Sequence, residues 1–94
     1  MKKILGLCEG RHTIEKVEGY IFGKELNIRD LGYMRMLAHE VLYETKELDL
    51  YVTGLTVALV TVINYCLYNH IALTLYHYDR EYDNYYPQEV NPVT

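Results

Sequence analysis

Apolar residues recur along this chain in two rhythms, and the change of rhythm marks the elements. Lys2 to Cys8 is a short apolar run that reads as a strand, followed by a polar loop, Cys8-Glu9-Gly10-Arg11-His12-Thr13. Lys16 to Phe22 is the next strand candidate. Gly23 and Asn27 mark a turn and Asp30 can cap a helix, because Leu31, Met34, Ala38, Val41 and Leu42 return at helical spacing while Arg35, His39, Glu40 and Glu44 take the other face. Leu48 to Val52 reads as a strand that turns at Thr53-Gly54-Leu55-Thr56 into a second helix, roughly Leu55 to Tyr68. Its apolar positions cover much of the circumference, which predicts burial on more than one side. Ile71 to Tyr78 alternates as a strand, Asp79 to Asn84 is a polar turn, and Tyr85 to Val90 can pair back as a hairpin. Residues 91–94 read as a loose tail.

Strand, helix, strand over residues 48 to 78 is a βαβ unit, whose strands run parallel with a right-handed crossover. The fold expected is a small α/β sandwich over a single domain, 1–94, with a mostly parallel sheet, two helices and a C-terminal β-hairpin. Ligands of parallel sheets gather outside the carboxyl ends of the strands. Three loops belong there: Glu9 to Thr13, Thr53 to Thr56, and His77 to Arg80.

Charge narrows the partners. The formal net charge is -4, which argues against duplex DNA, since a sequence-independent binder needs a basic surface to displace counterions. A small anion needs only a few local donors. Leu50 to Tyr78 lacks Asp, Glu, Lys and Arg, but Gly54, Asn64, Asn69 and His70 interrupt it, so it reads as a buried unit rather than a membrane span. The basic start has too short an apolar run for a signal peptide. Cys8 and Cys66 form no paired metal motif and read as reduced core thiols, so the expected location is cytoplasmic. Eleven tyrosines against one Phe and no Trp suit half-buried, wet surfaces, and those of the terminal hairpin suit a dimer seam.

The candidate chemistry sits in the three loops. At Thr53-Gly54-Leu55-Thr56 a glycine allows close backbone approach, and the free N–H groups and dipole of a helix start favour phosphate; an ordinary turn with Thr56 as cap is the competing reading. Gly10 and Thr13 frame Arg11 and His12, where a guanidinium can hold a phosphate while an imidazole exchanges a proton. His77 and Asp79 share one strand face and Tyr78 takes the other. A metal site would need His77, Asp79, His12 and Glu9 to converge, and neither a metal nor a cofactor is expected. His39 reads as a surface residue and His70 as the end of the second helix. The chain has no serine, and Cys8 falls where a strand buries it, so acyl transfer is not expected.

With the loops placed, Gly10-Arg11-His12 and Thr53-Gly54-Leu55-Thr56, over Ile4 to His12 and Leu48 to Leu75, give a chain that resembles the small CRISPR-associated Rossmann-like proteins related to ring nucleases and cyclic-oligoadenylate sensors. The resemblance implies a homodimer whose shared cleft binds a small anionic nucleotide such as a cyclic oligoadenylate. It also implies metal-independent phosphodiesterase cleavage of that ring in antiviral signalling, with Arg11 and His12 catalytic and Gly10, Thr13, Thr53, Gly54, Leu55, Thr56, His77 and Asp79 binding. A Pro-Gly expected directly after Arg11-His12 is missing, which bears on cleavage more than on fold. The alternative is a protein interaction module, such as a viral or mobile-element inhibitor of a host defence protein, without enzymatic activity.

Overall fold

The computed structural model describes residues 1–10 and 14–90. Five strands and two helices succeed one another in the order β1 (Lys2–Cys8), β2 (Tyr20–Phe22), α1 (Leu31–Leu42), β3 (Glu47–Tyr51), α2 (Thr56–Tyr68), β4 (Ala72–Asp79) and β5 (Asn84–Val90). They build one sheet in the order β2-β1-β3-β4-β5. The first four strands are parallel and β5 returns antiparallel to β4. This is the expected α/β, Rossmann-like arrangement with its C-terminal hairpin.

Register explains the core. Leu5, Leu50 and Leu75 form one row across β1, β3 and β4, and Leu48 and Leu73 form another on the same face. The connections from β2 to β3 and from β3 to β4 carry the chain in the same direction across the sheet, so right-handed crossovers put both helices on that face. There Met34 and Leu42 of α1 and Ala58, Val62 and Cys66 of α2 join the leucines in one buried cluster. Lys3, on the same face, donates from Nζ to the Val41 carbonyl (2.6 Å). Both cysteines are free and buried, as their positions predict. Asp30 caps α1 by accepting from the Tyr33 N–H (3.0 Å).

The opposite face has no helical layer among the described residues. Its cover is aromatic. Tyr20, Gly6, Tyr51, Tyr76 and Pro87 stand in one row across all five strands. The Tyr51 and Tyr76 rings stack at 4.8 Å between centroids, and Tyr85 meets Tyr51 edge-on at 4.8 Å. Tyr78 leans on Tyr85 at 5.4 Å, while His77 faces Tyr86 on the other side, as strand alternation predicts.

Two expectations change. The strand expected over Lys16 to Phe22 is reduced to Tyr20–Phe22. The Glu18 carboxylate, rather than a strand carbonyl, accepts the Ile4 N–H (3.1 Å), so upstream of Gly19 the chain meets β1 by isolated bonds. The second correction concerns α2, which buries only the stripe Ala58, Val62 and Cys66. Val57, Val60 and Leu67 are 38%, 48% and 39% exposed, because the sheet lies on one side of the helix and no layer among the described residues covers the other. No helix among the described residues is long and apolar enough to cross a membrane.

Candidate functional site

The strand order reverses between β1 and β3: from β1 the chain moves to β2 on one side, and β3 returns on the other. Loops leaving two such strands diverge to opposite faces and open a crevice at their carboxyl ends. Here Ile14, in the connection from β1 to β2, lies by the tyrosine face, since the Tyr20 hydroxyl accepts its N–H (3.2 Å). The turn after β3 leads into α2 on the helical face.

Thr53 holds the two lips together. Its hydroxyl accepts the Cys8 N–H (3.2 Å) and donates to the Cys8 carbonyl (3.3 Å), closing a bond pair between chain segments 45 positions apart. The Thr53 side chain is thus occupied by backbone and frames the crevice. The Leu55 N–H donates back to the Thr53 carbonyl (2.6 Å), a tight turn that starts α2 within two residues. Leu55, not Thr56, occupies the N-cap position, and no side chain caps the helix. The capping reading of Thr56 is therefore corrected: Thr56 is the first helical residue. The N–H groups of Thr56, Val57 and Ala58 precede the first intrahelical donor, Leu59, and carry the positive end of the dipole. Gly54 is exposed, has no positive φ, and a Cβ there would meet nothing within 4 Å. Gly10 is equally open.

The remaining expected residues divide. His77 donates from Nε2 to Gln88 Oε1 (2.8 Å) across the hairpin. Asp79 accepts the N–H groups of Glu81 (2.9 Å) and Tyr82 (3.4 Å), which makes it the brace of the β4–β5 turn. Arg11, His12 and Thr13 lie outside the described residues. No group of three or more His, Cys, Asp or Glu among the described residues is placed to hold a metal ion. Burial pushes the Cys8 thiol up, with the Thr53 hydroxyl opposing in part, so the thiol at the end of β1 is held protonated.

A groove between the helices is not visible in the sequence pattern. Between the outer sides of α1 and α2 runs a groove of about 770 Å³, lined by Leu31, Arg35 and His39 from α1 and by residues of α2 from Thr56 to Tyr68, with Asn69 at its end. His39, expected as a plain surface residue, shares a hydrogen bond with the Tyr65 hydroxyl (3.0 Å) across it. Desolvation pushes the Tyr65 phenol up, so it stays neutral. The i, i+4, i+8 spacing of Leu31, Arg35 and His39 is a signal for one helix edge, but only tertiary packing puts that edge against α2. Comparison with known proteins finds no match to this chain among family models, curated proteins or solved structures.

Proposed function

We propose that the protein binds a small anionic nucleotide, such as a cyclic oligoadenylate, in the crevice between the ends of β1 and β3, acting in the cytoplasm. The observation that carries this reading is the strand-order reversal at that point, with the uncapped first turn of α2 on one lip. Exposed backbone donors suit phosphate oxygens, and Gly54 leaves room for approach. Arg11 and His12 follow β1 in the sequence, and they are the residues from which metal-independent cleavage of a phosphodiester would come: the guanidinium to hold the phosphate, the imidazole to exchange the proton. The setting in CRISPR-associated antiviral signalling comes from the resemblance of the two loop motifs.

Calorimetry with cyclic oligoadenylates tests the reading. Arg11→Ala is expected to weaken binding tenfold or more, since a charge-assisted hydrogen bond is worth about 1.5 to 3 kcal/mol. Product analysis by mass spectrometry separates cleavage from binding. Absence of binding by the wild type, or equal affinity of the variant, counts against the site. The second reading, an interaction module that inhibits a partner protein, is favoured by the apolar groove between the helices.

A further inference from the structure

The tyrosine face of the sheet is also where the acids of the strands collect. Beside the row of Gly6, Tyr51, Tyr76 and Pro87 stands a row of Ile4, Asp49, Thr74 and Glu89, and Glu47 belongs to the next. Lys2 is the one basic residue that the five strands place on this face, and Asp49 holds it at 3.3 Å. The other strand lysine, Lys3, faces the helices, and Arg80 lies beyond the strands in the β4–β5 turn. Glu47 and Glu89 are exposed. So is Tyr78, at 47%, on the far side of the tyrosine row.

Rings and carboxylates on adjoining rows discriminate by charge. A nucleic-acid strand could stack its bases on the tyrosines, but its phosphates would meet like charge, and so would the same acidic face of a second copy. A guanidinium gains twice: its plane stacks on a ring while its donors pair with a carboxylate. We propose that this face docks an extended, arginine-rich segment of a partner protein, laid along the β4–β5 hairpin. Same-face positions of a strand recur every 7 Å or so, at about 3.3 Å per residue. The rows Tyr78 with Tyr85, Tyr76 with Pro87, and Thr74 with Glu89 therefore present rings and then an acid at the interval at which alternate side chains of an extended peptide return. An arginine stacked on Tyr78 leaves another of the same segment within reach of Glu89. Lysine would keep the charge and lose the stacked plane.

The docking needs no nucleotide and stands apart from that reading. Calorimetry of the protein with an oligoarginine peptide is expected to show binding that weakens as salt rises, with oligolysine weaker and oligoglutamate inert. Glu47→Lys and Glu89→Lys, at exposed positions, are each expected to lower the oligoarginine affinity about fivefold. Glu40→Lys makes the same change of net charge at an exposed position of α1 and is expected to leave the affinity within about twofold. Tyr78→Leu is expected to abolish the preference for arginine over lysine; if circular dichroism shows that it loosens the hairpin, the charge variants decide alone. Equal losses from Glu40→Lys and Glu89→Lys would reduce the effect to net charge, and oligouridylate binding in place of oligoarginine would make the face a platform for bases. Either result, or no oligoarginine binding by the wild type, overturns the proposal.

Discussion

Gly6 and Gly54 have opposite surroundings. A Cβ on Gly6 would overlap the Tyr20 ring, which lies across it in the row that spans the sheet. The ring is held in place by its hydroxyl, which accepts the Ile14 N–H. Gly6→Ala is therefore expected to destabilise the fold by about 1 to 3 kcal/mol, the usual cost of overpacking, read as a lower midpoint in urea. Gly54 meets no such obstacle, and without a positive φ it carries no conformational demand that alanine fails. Gly54→Ala is expected to keep the melting temperature within a few degrees yet abolish nucleotide binding, because a methyl group would stand where the proposed ligand approaches the first turn of α2. Unfolding of that variant would make the glycine structural, and retained binding would move the anion site elsewhere.

At the scale of elements, legibility depends on the range of the interactions that decide each one. Helix α1 is readable because its cap, Asp30, and its buried positions, Met34, Ala38 and Leu42, are local pattern. The β4–β5 hairpin is readable for the same reason, with its turn braced by Asp79. The length of β2 is not, since the Glu18 N–H donates to the Ile4 carbonyl as a strand residue would, while its carboxylate, in place of a strand carbonyl, takes the Ile4 N–H. Nor is the second side of α2, whose uncharged surface suggests burial that the one-sided helical layer does not provide. Of the candidate site, the turn at residues 53–56 lies at the carboxyl end of β3 as its pattern predicts, but the duty of Thr53 toward Cys8 is hidden, being set by a partner 45 positions away. His39 and Tyr65 come together only when two helices pack.

Across the whole molecule, buried weak acids set a pH limit. Burial pushes the Cys66 thiol from an ordinary 9.0 up to about 12, and the phenols of Tyr51, Tyr65 and Tyr85 are raised too, chiefly by desolvation. Between the unfolded and folded values the folded state binds more protons, so this contribution is complete below about pH 9 and is lost as pH rises toward 12. Urea midpoints are expected to fall from pH 9 to 11, and Cys66→Ala to flatten the decline while lowering stability near neutrality. A pH-independent midpoint over that range would contradict the assignment.

The place of β1 in the sheet also has a consequence in time. It is made before the other four strands, yet it lies inside the sheet, and its neighbour β3 pairs Lys2 with Glu47 and Leu5 with Leu50. During synthesis Leu5 and Leu7 therefore wait for some forty-five further residues before their shelter exists, while β2 alone is near in sequence. Closing so long a loop is entropically slow. The nascent chain must keep the apolar segment of β1 out of wrong pairings until Thr53 arrives to bond Cys8.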